Sequence, residues 1–109
     1  MISRTWKGLV PTSKKQAYLS YIQKTGLDEY GSTQGNLGVY LLLREIGDNT
    51  EFHTLTFWDS YASIKKFAGE DYSRAKYYPK DDEYLLEKTE FVEHSSVVYG
   101  QSDKISVSL

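Results

Sequence analysis

Residues 37–46 are apolar on both faces of an extended chain and residues 51–58 return beside them with two faces of their own, and these two segments set the architecture. In the first, Val39, Leu41 and Leu43 share one face of an extended chain while Tyr40 and Leu42 share the other, because side chains two apart lie on the same side of a strand. A strand that is apolar on both faces needs cover on both. In the second, Phe52, Thr54, Thr56 and Trp58 alternate with His53, Leu55 and Phe57. Gly47, Asp48, Asn49 and Thr50 between them have turn-forming composition, so the pair reads as a hairpin. Residues 2–10 read as an earlier strand that places Arg4 and Trp6 on the face of Ile2, an odd position for a charge in a plain core. Residues 91–99 read as the last strand, with Val92, His94, Ser96 and Val98 alternating against Phe91, Ser95, Val97 and Tyr99.

Two stretches switch to helical spacing. After Pro11, Ser13 followed by Gln16 has the capping-box pattern, and Tyr18, Tyr21, Ile22 and Thr25 make a stripe down the helix that follows. That helix is expected to fray near Gly26, with residues 28–31 as a last turn stopped by glycine and Gly35 in a dihedral region that other residues avoid. Asp59 and Ser60 offer capping oxygens to a second helix, which carries Tyr61, Ile64, Phe67 and Ala68 on one stripe and ends at Gly69. A short helical turn over 72–78 is expected to run into Pro79. Residues 80–83 read as a charged link and 84–86 as an apolar anchor.

The order strand, helix, strand, strand, helix, strand is the split βαβ of the ferredoxin-like fold. This predicts an α+β domain with a four-stranded antiparallel sheet and both helices on one face. Two helices cover only one face of such a sheet, so a second subunit should cover the other; a homodimer with its sheets face to face, a dimeric α+β barrel, is expected. The domain spans 1–100, and 101–109, polar with isolated Ile105, Val107 and Leu109, is a tail or an extra edge strand.

Composition narrows the function classes. At 109 residues the chain is one domain, and with no cysteine it holds neither disulfides nor thiolate chemistry, which fits a cytoplasmic location. The net charge of −2 is spread with both signs interspersed, so no basic face for nucleic acid is evident. The longest apolar run, 39–43, is too short to cross a membrane, and the first residues lack a signal peptide's apolar region. No phosphate-binding glycine loop, Ser/His/Asp set or dinucleotide fingerprint is present. Asp81, Asp82 and Glu83 read as a solvated link, since adjacent acids cannot all face one ion and no histidine accompanies them. Neither a metal nor a cofactor is expected. The ten tyrosines, two tryptophans and four phenylalanines suit pockets and subunit interfaces alike.

At FWDS (57–60), FAGED (67–71) and YYP (77–79) the chain resembles the antibiotic biosynthesis monooxygenase family of dimeric α+β barrels. The resemblance covers 1–99 and extends to RTW at 4–6, the GNxG string at 35–38 and Glu93-His94. It implies a small homodimer in which each sheet–helix crevice holds an aromatic or polyketide-like substrate. Characterised members oxidise such substrates with O2 and neither flavin nor metal, the substrate's own anion supplying the electrons. Other members degrade haem, using an Asn on the first strand, a Trp in the second helix and a His beyond it. The corresponding positions here are Trp6, Phe67 and Tyr77, so the axial imidazole is missing and haem degradation is not expected.

On this reading the candidate catalytic residues are His94, as a base that takes a phenol's proton, and Arg4, whose guanidinium forks onto the oxygens of an enolate or phenolate. Trp6, Trp58, Tyr77 and Tyr78 are candidates to line a pocket for a flat ring, the Tyr77-Tyr78-Pro79 corner bordering it. Each has a plainer reading: His94 as a satisfied structural histidine, Arg4 in an ion pair with Glu51, Glu93 or a partner-chain acid, and the aromatics as core. His53 is placed at the surface or the subunit interface. The expected function is a cofactor-independent monooxygenase acting on a small aromatic molecule. The alternative is a non-enzymatic dimeric domain that binds a small ligand or serves in a stress response. A deep crevice with His94 and Arg4 converging on it favours the enzyme; a crevice filled by tyrosines favours the alternative.

Overall fold

The computed structural model describes residues 1–101, 103 and 107. Strands β1 (Ile2–Pro11), β2 (Asn36–Ile46), β3 (Asn49–Trp58) and β4 (Glu93–Ser96) form one sheet in the order β2-β3-β1-β4, with neighbours antiparallel. Helices α1 (Lys15–Ile22) and α2 (Asp28–Ser32) are joined without a break by a π-helical turn, Gln23–Leu27, and α3 (Tyr61–Ala68) follows β3. This is the ferredoxin-like α+β arrangement expected from the pattern.

The strand period decides the faces. Along β3, Thr50, Phe52, Thr54, Thr56 and Trp58 are buried and the residues between them half-buried. Tyr18 and Ile22 of α1 pack with Trp6, Val10 and Phe52 on the covered face, and Ile64 and Phe67 of α3 pack with Trp58 and Tyr30. Helix α3 starts and stops as its sequence dictates: the Ser60 side chain accepts from the Ser63 amide, and Gly69 follows at φ 88°. Gly35 has φ 94°, and a Cβ there would lie 2.0 Å from Ser63 Oγ, so both conformation and space demand glycine.

Five local expectations are corrected. The Ser13–Gln16 box does not form: the chain enters the helix through a 3-10 turn, Thr12–Lys14, which places Ser13 inside the turn rather than ahead of it. The helix does not fray at Gly26, which is buried in the π turn; packing of Ile22 and Tyr30 on the sheet overrides the glycine, and Gly31 lies within α2. Residues 72–78 are not helical, because the Ala75 amide donates to Glu90 O and the Val92 amide to Ser73 O, each at 2.9 Å, pairing the two segments as extended chain. Residues 81–83 are a 3-10 turn, and Asp81 is buried, not solvated, since the Tyr78 amide and the Tyr18 hydroxyl both donate to it. Strand β4 stops at Ser96, because Ser96 pairs with Ile2 and β1 has no residue beyond it in the ladder. In 101–109, Ile105 and Leu109 lie outside the described residues, so the tail-or-strand expectation does too. No helix among the described residues is long and apolar enough to cross a membrane.

Candidate functional site

The crevice between the first helical run and the sheet is walled by five elements and the return segment, with α3 packed outside it. β1 supplies Trp6, β3 Thr54, α1 Tyr18 and Ile22, the π turn Thr25 and Gly26, and α2 Tyr30; the return segment adds Lys76, Tyr78 and Asp81. The space left among them is about 20 Å³, room for one water molecule. Tyr18 donates to Asp81 Oδ1 at 3.1 Å, Tyr30 Oη lies 3.3 Å from Thr54 Oγ1, and Tyr78 donates to Glu29 Oε2 at 2.8 Å. Burial raises the pKa of all three phenols, with Asp81 adding to the rise at Tyr18 and Glu29 at Tyr78, so they are neutral hydrogen-bonding groups at pH 7. Burial also raises the Asp81 pKa, against the lowering by its two donors. The wall therefore offers aromatic faces, neutral hydroxyls, one carboxyl and the Lys76 side chain, suited to a planar molecule with a polar edge.

Arg4 and His94 face each other across the β1–β4 ladder, with Arg4 Nη1 3.5 Å from His94 Nε2. Neither lines the cavity. The Arg4 guanidinium donates to Tyr72 O at 2.9 Å and Arg74 O at 3.4 Å and lies over the Phe67 ring, while its Nε has no partner. No carboxylate pairs with Arg4 among the described residues: Glu51 pairs with Arg44, and Glu93 sits one step along β4, on the other face. Arg4 is thus a buried cation held by main-chain carbonyls. The His94 pKa is lowered by burial and then by Arg4. A neutral imidazole can accept from Arg4 at Nε2 only in the tautomer protonated at Nδ1. Its ring packs against Tyr61 and Tyr72, with centroids 5.8 and 5.4 Å away.

The other candidates divide. Trp6 and Tyr78 bound the cavity. Tyr77 braces Trp6 from outside, accepting from its Nε1 at 3.2 Å while donating to Thr89 O. Trp58 is fully buried in the second core cluster, its Nε1 donating to Thr56 Oγ1. Sequence reasoning missed Tyr18, Tyr30, Thr54, Glu29 and Asp81 as wall or rim. The helical stripe through Tyr18 carried part of that signal, and Asp81 three residues after Tyr78 has the spacing at which an acidic side chain reaches back to the amide at the start of a helical turn. His53 lies on the opposite, open face, facing Lys7 of β1. There Leu37, Tyr40, Leu42, Leu55 and Phe57 meet residues 97–101 around a groove of about 560 Å³. Among the described residues no cluster of three or more His, Cys, Asp or Glu is placed to hold a metal ion.

This architecture is the fold of the antibiotic biosynthesis monooxygenase family. Two solved structures share it over nearly the whole chain. One is a candidate antibiotic biosynthesis monooxygenase from Bacillus cereus, with TM-score 0.55 and 15% identity, covering 96% of this chain and 97% of that one. The other is a MhuD variant with two manganese protoporphyrin IX molecules per active site, with TM-score 0.59 and 15% identity, covering 94% and 99%. No family model matches the sequence, and no curated protein matches it. The crevice of this chain leaves about 20 Å³, and neither histidine lines it.

Proposed function

We propose that this chain is a dimeric small-ligand-binding domain of the monooxygenase fold, taking a small aromatic molecule in the helix–sheet crevice. The carrying observation is the crevice wall, in which Trp6, Tyr18, Tyr30, Tyr78 and Asp81 close around room for one water. Such a wall recognises a hydroxylated ring but admits none until a side chain moves. The apolar half of the open sheet face, Leu42, Leu55 and Phe57 with Tyr40, supports a second copy as its cover. A cytoplasmic location belongs to the same proposal and is supported by the absence of cysteine.

The approach of Arg4 to His94 favours a second reading, a cofactor-independent monooxygenase. A neutral imidazole beside a cation pairs a base for a phenol's proton with a charge that holds the resulting anion, once the Arg4 guanidinium moves from His94 Nε2 to the phenol oxygen and frees that nitrogen's lone pair. That chemistry needs the crevice to open toward β4. The test is a panel of phenols and quinols followed by two readouts, chemical-shift changes at Gly26 and Tyr30 and oxygen uptake. Shifts without oxygen uptake support the binding domain. Oxygen uptake that is lost in His94→Ala supports the oxygenase. No shift with any compound overturns both.

A further inference from the structure

Thr25 and Tyr78 border both the inner cavity and an open hollow on the surface, the latter also lined by Lys24, Asp28, Glu29 and Ser32. Tyr78 is thus the partition between crevice and solvent. Its ring lies near Gly26, where an added Cβ would be in ordinary van der Waals contact, 3.9 Å from Tyr78 Cε2. Its hydroxyl is tied to one carboxylate oxygen of Glu29, and Lys76 is paired with the other. Lys76 is fixed in turn by donating to Phe67 O at 2.9 Å and by lying 4.8 Å above the Phe67 ring. The backbone at Tyr78 is held separately, its amide donating to Asp81 Oδ2 at 2.7 Å, and Pro79 follows. The side chain can therefore swing out by breaking one hydrogen bond and leaving the Lys76 ammonium, 5.8 Å from its ring centroid, while the main chain stays in place.

Resting on the crevice reading above, we infer that Tyr78 is a displaceable plug and that Glu29 and Lys76 are the latch that keeps it shut. The plug is itself a phenol, so the space it vacates has the shape of a single hydroxylated ring, with Glu29 positioned to accept that ring's hydroxyl. A ligand must compete with Tyr78, and its apparent affinity is reduced by the fraction of molecules that are closed. Weakening the latch raises that affinity without adding any contact.

The probe is p-cresol, the side chain of tyrosine as a free molecule, titrated into the full chain by calorimetry and located by shifts at Gly26 and Tyr30. Tyr78→Phe keeps the ring and removes the tie to Glu29; a hydrogen bond to a charged group is worth enough that binding should tighten about tenfold over the parent. Lys76→Met, which frees Glu29 and removes the ammonium beside the Tyr78 ring, should tighten it by about threefold; because Lys76 also lines the cavity, this result counts for the latch only together with that of Tyr78→Phe. Tyr78→Ala should give the tightest binding and prefer p-cresol over toluene. If Tyr78→Phe and Lys76→Met bind p-cresol as the parent does while Tyr78→Ala binds it well, Tyr78 is ordinary packing; the latch is overturned and the crevice reading stands. Equal affinity of Tyr78→Ala for toluene would overturn the role given to Glu29. If no form binds p-cresol, Tyr78→Ala included, with native near-ultraviolet circular dichroism in each, the crevice reading and the latch fall together.

Discussion

The two faces of this sheet are made from the same strands one residue out of step, and they differ in an unexpected direction. The covered face is rich in polar side chains: Arg4, Thr50, Thr54 and Thr56 are all buried there beside Trp6, Phe52 and Trp58. The open face carries Leu42, Leu55, Phe57 and Tyr40 on β2 and β3, and is polar at Arg44, Glu51 and His53 toward the hairpin and at Thr5, Lys7, Glu93 and Ser95 on β1 and β4. Burial of polar groups costs little when each finds a partner. The threonines do: Thr50 Oγ1 lies 2.9 Å from Thr12 Oγ1, Thr54 meets Tyr30, and Thr56 donates to Arg4 O while accepting from Trp58. Arg4 is the exception, with one unpartnered nitrogen and no anion. The covered face is closed and, Arg4 Nε apart, chemically satisfied within one chain, whereas the open face keeps an apolar patch that one chain leaves uncovered. On the function proposed above, ligand and partner would fall on opposite sides of one layer.

The largest expected effect sets neighbours on opposite faces against each other. Trp58 is fully buried, so Trp58→Ala should cost about 3–5 kcal/mol in urea denaturation. Phe57→Ala, one residue away on the open face, should cost no more than about 1 kcal/mol at concentrations where the chain is monomeric. Equal losses would erase the distinction between the faces. Next in size is Thr54→Val, which keeps the shape and removes the hydroxyl beside Tyr30. Leaving a buried phenol without its partner should cost about 1–3 kcal/mol. No loss would mean that the threonines of the covered face are incidental to its packing.

How far this contrast could be read from the residues depends on the range of the interactions. Both faces of β2 and β3, the hairpin between them, the Ser60 cap and the Gly35 and Gly69 positions follow from period two, local capping and dihedral preference, all of which act over a few residues. Arg4 also stood out as a charge on an apolar face, but its partners are carbonyls of residues 72 and 74, about seventy positions on. The extended path of 72–78 is imposed by pairing with 90–92, and the burial of Asp81 by Tyr18; no local propensity carries either. Closure of the crevice is a matter of summed side-chain volume. The aromatic count suggested a pocket but held no information on whether tyrosines would line it or fill it.

A substitution on the open face sharpens its side of the comparison. Leu42 is 44% exposed, flanked by Leu55 and His53 on β3. If a second copy covers this face, Leu42→Glu places a charge in a symmetric apolar contact twice and should shift the light-scattering mass from two chains to one. The stability of the isolated chain should change by no more than about 0.5 kcal/mol. A mass of one chain for the parent at micromolar concentration would remove the partner-surface argument and leave the apolar patch unexplained.

The smallest expected effect is in pH dependence, and it tests the edge where Arg4 and His94 meet. Burial first, and Arg4 second, lower the folded pKa of His94 below its ordinary 6.5. The unfolded chain therefore binds the proton first as pH falls. The stabilising contribution is present above about 6.5, and it is lost progressively as pH drops from there through the folded pKa. His53 has the same sign for a related reason, burial and then Lys7, opposed by Glu51. Asp81 runs the other way at lower pH, since its raised pKa is a cost at neutrality that protonation relieves. Replacing His94 by Gln keeps a hydrogen-bonding group near Arg4 and removes the titration, so the fall in stability between about pH 7 and pH 5 should become shallower. His53→Gln should flatten it less, because no fixed arginine lies beside that ring. If both variants follow the parent curve, Arg4 and His94 are not coupled in solution, and the pair loses its place in the oxygenase reading as well.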